Sequence, residues 1–197
     1  MNTIVIGIIL VVALIAVVLI IMGNRRTATL RTKFGPEYDV TIKTMRDRDR
    51  AESELMKRAE RVEQLKLRPL APADRSRFEQ SWQADQSRFV DDPRGAVREA
   101  DHLVTELMQA RGYPVADFEQ RAADVSVDHP HVVDRYRAAH EIAGRDVRNE
   151  ANTEDLRNAI VHYRALFQEL LVVDTPSTDV GPAASDTRSP EVTKSGT

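Results

Sequence analysis

Side chains able to do acid–base or metal chemistry are sparse and poorly grouped in this chain. Histidine occurs at 102, 129, 131, 140 and 162, and cysteine is absent, which excludes disulfides, thiol nucleophiles and thiolate metal sites. HEIAG at 140–144 begins as the zinc helix HExxH does, but Gly144 stands where the second imidazole must be, so no ligand pair shares a helical face. DHPH at 128–131 gathers one carboxylate and two imidazoles. Pro130 between them points to a helix start capped by Asp128 or His129, with a metal site or general base as the competing reading. Asp91 and Asp92 are adjacent rather than convergent, and DDPRG has the form of a turn followed by a helix start at Pro93. There is no phosphate-binding glycine loop, dinucleotide fingerprint or nucleophile elbow. The expectation is a protein that is not an enzyme, with no catalytic residue, cofactor or bound metal.

The elements that would position any site begin with an apolar run. Ile4 to Met22 carries no charge and is Ile, Leu or Val except at Gly7, Ala13, Ala16 and Met22. As a helix it spans about 28 Å, close to the ~30 Å of bilayer hydrocarbon. Its branched side chains favour insertion by roughly 5 to 9 kcal/mol in total, and in hydrocarbon the backbone must satisfy itself as helix. A cleaved signal peptide needs a basic start, a shorter apolar core and a small-x-small cleavage site. Met1, Asn2 and Thr3 are uncharged, and cutting after Gly23 would put Ile21 where a small residue belongs. The segment is therefore expected to be an uncleaved transmembrane anchor, residues 1–23.

Arg25, Arg26, Arg31 and Lys33 follow the anchor before the first acid, Glu37. By the positive-inside rule the N-terminus lies outside and residues 24–197 lie in the cytoplasm, at a bacterial inner membrane. The alternative is a domain outside the membrane. The same four bases can also bind anionic membrane lipid. Residues 24–66 hold 12 bases against 8 acids, and 67–173 hold 14 against 19. A basic stalk beneath an acidic domain suits an anionic leaflet and argues against nucleic acid as a partner.

One long charged juxtamembrane helix is predicted over Pro36–Lys66. Its apolar positions Tyr38, Ile42 and Met45 are separated by RDRDR from Leu55, Met56, Ala59, Val62 and Leu65. A heptad seam would put Asp49 and Glu52 at core sites, which makes a poor coiled coil. Arg48 to Glu52, Arg50 to Glu54 and Glu54 to Arg58 have the spacing of helix-surface ion pairs. A solvated stalk that docks at its ends is the expectation, with self-association through Leu55, Ala59 and Val62 as a second reading.

RPLAPAD then breaks the helix and opens an all-α domain, a small helical bundle over 67–173. Phe78, Trp82 and Phe89 share one face and are expected in its core, with ligand stacking on Trp82 as the alternative. Ala96 to Met108 follows a strong amphipathic pattern that Gly112 caps. Asp117 and Gln120 form a capping pair, Pro130 is expected to open the next helix, and Thr153 to cap the last. That last helix buries Leu156, Ile160, Tyr163, Phe167, Leu170 and Leu171. Residues 174–197, rich in Pro, Ser, Thr, Asp and Gly, are expected to form a disordered tail.

RTKFGPEYD at 31–39, RFEQSWQADQSRFVDDPRGAV and MQARGYPVADFEQRAADVSVDHP resemble segments of a set of short membrane-anchored proteins from GC-rich bacteria. The resemblance spans roughly residues 30–171. It implies an anchored protein and brings no reaction, cofactor or catalytic residue. The function expected from the whole sequence is a single-pass protein whose helical domain docks an unidentified protein partner.

Overall fold

The structure, a computed structural model, describes residues 2–114 and 116–171. Among them every regular element is a helix: α1 (Asn2–Phe34), α2 (Pro36–Met45), α3 (Arg48–Glu63), α4 (Pro72–Arg88), α5 (Pro93–Arg111), α6 (Phe118–Asp128), α7 (Val133–Val147) and α8 (Thr153–Leu171). The tail expected at 174–197 lies outside the described residues.

α1 contains the one described helix long and apolar enough to cross a membrane, with a mean hydropathy of 3.3 in its most apolar window and none of that window buried. The helix does not stop where the apolar run stops. It continues through the basic residues to Phe34, and Leu30 and Phe34 are buried in the folded domain. Gly35, at φ 47, lets the chain turn, and Pro36 starts α2 in the first-turn position where its missing N–H costs nothing.

The single helix expected over Pro36–Lys66 is two helices. Arg46 ends α2 in the left-handed region at φ 56, and Asp47 caps α3 by accepting a hydrogen bond from the Arg50 backbone N–H at 3.1 Å. The charged run RDRDR is thus the tip of a helical hairpin. Nor is the segment solvated. Leu30, Phe34, Tyr38, Leu55, Val62 and Val127 form one apolar cluster that joins α1, α2 and α3 to α6.

A larger cluster fills the bundle of α4, α5, α6, α7 and α8, with α8 packed between α5 and α7. Leu65 and Leu67 lie against both clusters, so the two cores are continuous through the 64–71 segment. That segment is docked rather than free: Arg68 donates from its backbone N–H to the Arg111 carbonyl and from Nε to the Ala110 carbonyl, both at 2.9 Å.

Helix starts are set as the sequence implies at Pro72, Pro93 and Asp117, where Asp92 and Asp117 accept backbone N–H groups of Gly95 and Gln120 at 2.8 Å. Two starts differ. α7 begins at Val133 without a side-chain cap, because His129 closes α6 through its backbone N–H to the Val125 carbonyl and Pro130 falls in the intervening turn. α8 is capped by Asn152 rather than Thr153, since Asn152 and Asp155 exchange reciprocal side-chain to backbone hydrogen bonds of 2.9 and 3.0 Å.

Candidate functional site: the junction of α1 and the bundle

The densest arrangement of buried charge lies where α1 meets the bundle, and Glu37 is its centre. The residue follows Pro36 at the start of α2, where the helix dipole favours a carboxylate, and only 1% of it is exposed. Arg137 of α7 grips it with both guanidinium nitrogens, at 2.7 Å to Oε2 and 2.8 Å to Oε1. Arg58 of α3 donates to Oε1 at 3.0 Å. One carboxylate therefore ties α2 to α3 and to the bundle, and the paired geometry keeps the Arg137 guanidinium more strongly protonated than usual.

Glu52 on α3 does the same toward the apolar part of α1. Thr27 of α1 and the Tyr38 hydroxyl each donate to its Oε1 at 2.8 Å, Arg48 Nε donates at 3.1 Å, and Arg26 Nε lies 3.8 Å from Oε2. Burial alone would raise the Glu52 carboxyl, but these donors outweigh it and hold it below the ordinary range. A third buried acid, Asp124 of α6, accepts from Arg61 of α3 and from Gln120, each at 2.8 Å. Three carboxylates thus lock α1, α2 and α3 onto α6 and α7.

Of the bases expected to flank the membrane, Arg26 faces Glu52, and Arg31 pairs with Asp39 at 3.0 Å while lying over the Tyr38 ring. Arg25 and Lys33 are exposed. Along the stripe considered for self-association, Leu55 and Val62 are buried within the chain, and Ala59 packs on the same cluster. Arg48 and Arg58 make the expected pairs with Glu52 and Glu54, whereas Arg50 turns to Asp47 at 3.4 Å.

The histidines are spread over the bundle. His129 and His131 both approach Glu169 of α8, at 3.5 and 3.3 Å, and burial pushes the His129 imidazole below its ordinary range against the pull of that carboxylate. His140 stacks on Phe118 with ring centres 3.6 Å apart. Among the described residues no cluster of three or more metal-ligating side chains occurs.

The aromatic face of α4 enters the core as expected. Phe78 and Trp82 are buried, and Trp82 stacks on Phe167 at 4.5 Å. The edge of that stack floors an open groove of about 460 Å³ between α4 and α8, with Arg75, Glu79, Gln83 and Arg164 on its walls.

Glu37, Asp124 and Arg137 were not legible as a site. The spacing of Glu37 from Pro36 explains its place at a helix start but not its partners, which lie on α3 and on α7, a hundred residues away. Glu52 did leave a signal, because the heptad register that brings Leu55 and Val62 inward brings Glu52 with them. RTKFGPEYD contains Phe34, Gly35, Pro36, Glu37 and Tyr38, which build this junction. In comparisons with protein-family models, curated proteins and solved structures, nothing matches this chain.

Proposed function

We propose that this protein is a single-pass membrane-anchored scaffold that holds a helical bundle at a fixed height and angle on the cytoplasmic face of a bacterial membrane, where the bundle docks a protein partner. The observation that carries this reading is the continuity of α1, which passes from exposed apolar helix into a buried, ion-paired junction without an intervening linker. About eight helical residues, or roughly 12 Å, separate Met22 from Leu30. A bundle set that close has its orientation restricted, which is useful for presenting one face and unnecessary for a freely tethered domain. Arg25, Arg26, Arg31 and Lys33 support the cytoplasmic orientation. The α4–α8 groove beside Trp82 is the concave surface offered to the partner.

A photocrosslinking side chain at Gln83 or Gln86 on the groove wall, in cells expressing the full chain, tests the docking role. Covalent adducts with one protein species from those sites, and none from exposed Val147 on α7, are expected. Adducts equally spread over the three sites would overturn it. A reporter fused after residue 197 tests the side of the membrane, and activity of a periplasm-dependent reporter there would reverse the orientation.

A further inference from the structure

RDRDR, the charged run in the juxtamembrane segment, forms the α2–α3 turn, and that turn folds back toward the apolar part of α1. The distances fix its direction. Arg48 Nη2 donates to Thr27 Oγ1 at 2.7 Å, and Glu52 reaches both Thr27 and Arg26. One cleft is lined by Ile20 and Gly23 of the apolar helix together with Arg48 and Asp49 of α3. At the other end of α3, Val62 shares a cleft with Lys33. α3 therefore runs alongside the last turns of α1, away from the apolar stretch, and α2 must run the opposite way. The lengths agree, since α2 rises about 15 Å and the α1 segment from Asn24 to Phe34 about 16 Å.

The tip is thus level with the final apolar turn of α1. It carries Lys43, Arg46 and Arg50, all exposed, beside Met45, which is 39% exposed. Arg46 occupies the left-handed region at φ 56, a backbone state that a β-carbon disfavours. Residues 43–50 hold four bases, Lys43, Arg46, Arg48 and Arg50, against two acids, Asp47 and the exposed Asp49; with Arg50 paired to Asp47 and Arg48 to Glu52, Lys43 and Arg46 remain against Asp49 and the tip is net basic. A net basic turn with one flexible, partly exposed apolar side chain, at the height where headgroups would lie, matches the chemistry of an interfacial lipid contact.

We infer that the α2–α3 tip, Lys43 to Arg50, is a second membrane contact that binds anionic phospholipid headgroups, with Met45 entering the interface. This rests on the anchor reading of α1 and goes beyond it, because two contacts fix the rotation of the bundle about the α1 axis and one does not.

The lack of cysteine allows single-site labelling of the full chain. Met45→Cys, Leu14→Cys and Val147→Cys are each labelled with a fluorophore and placed in nanodiscs of phosphatidylcholine, or of phosphatidylcholine with phosphatidylglycerol, containing lipids with a nitroxide at the headgroup or deep in the acyl chain. Headgroup nitroxide should quench the label at 45 more in the anionic discs. The Arg46→Glu, Arg50→Glu pair should reduce that quenching to the level at 147. Equal quenching at 45 in both lipid mixtures, or quenching no greater than at 147, would overturn the lipid contact while deep quenching at 14 keeps the anchor. Loss of deep quenching at 14 would overturn both. Hydrogen exchange at residues 43–50 of the unlabelled chain, slower in the anionic discs, gives the same answer without a label at the tip.

Discussion

The junction and the bundle are both buried, yet they are held by opposite chemistry. The bundle core stacks Trp82 on Phe167, sets Tyr136 edge-on to Tyr163 and fills the remainder with aliphatic side chains. The junction has a small apolar cluster and three buried carboxylates, Glu37, Glu52 and Asp124, each met by arginine. Apolar packing is strong and tolerant of angle, because it has no direction of its own. A two-pronged arginine grip on a carboxylate adds little net stability but accepts one geometry and penalises others. The contrast divides a bundle held by packing from a junction that fixes the angle between α1 and the bundle.

The largest effect should come from the bundle. Phe167→Ala removes the partner of Trp82 and opens a cavity, at a cost of about 4 kcal/mol. Thermal melting followed by Trp82 fluorescence should show one lowered transition for the whole domain. Glu37→Ala should cost about 3 kcal/mol, because Arg58 and Arg137 are left without their shared partner in a largely buried place. Its signature is local: faster hydrogen exchange in α2 and α3 while α5 and α8 stay protected. Uniform loss of protection would erase the distinction between the two regions. Gly112→Ala probes their seam. Gly112 sits at φ 98, and an added β-carbon would lie 2.7 Å from the Lys66 carbonyl oxygen, so a loss of about 2 kcal/mol is expected in chemical denaturation.

The same contrast explains what the sequence disclosed. The bundle helices follow from spacing, since Phe78, Trp82, Val97, Leu107, Tyr163 and Phe167 each lie on a periodic apolar face, and all six are buried. Apolar burial leaves a periodic trace along one helix. The junction leaves almost none, because an ion pair such as Glu37 with Arg137 joins residues far apart in the chain and either residue alone has the appearance of an exposed charge. The Pro36–Lys66 helix was misplaced for a related reason. Every residue from Met45 to Ala51 tolerates helix, and only the folding back of α3 onto α1 requires the break at Arg46 and Asp47.

The smallest effect is also the sharpest, because the bundle contains one carboxylate handled in the opposite way. Asp85 of α4 is 2% exposed and neither of its oxygens has a hydrogen-bond partner. Burial, helped by the charge of Glu99 and opposed by Arg88, pushes it up to about 7 from an ordinary 3.8. Between those values the unfolded chain releases a proton that the folded chain keeps, so this group lowers stability as pH rises from about 4 to 7. Glu52, held below its ordinary 4.5, contributes stability that is complete above that value and lost as pH falls beneath it. Acidification from pH 7 to 5 should therefore relieve the cost of Asp85 in α4, opposed at the end of α6 by the His129 imidazole, which is held below its ordinary 6.5, with no loss at the junction, and acidification below 4.5 should loosen α2 and α3 first. Asp85→Asn should flatten the upper limb, with a gain of roughly 1 kcal/mol at pH 8, since the amide is neutral but still lacks partners. Site-resolved hydrogen exchange across pH 4 to 8 reads both limbs, and a bundle that weakens in step with α2 and α3 on acidification would show that charge does not divide the two regions.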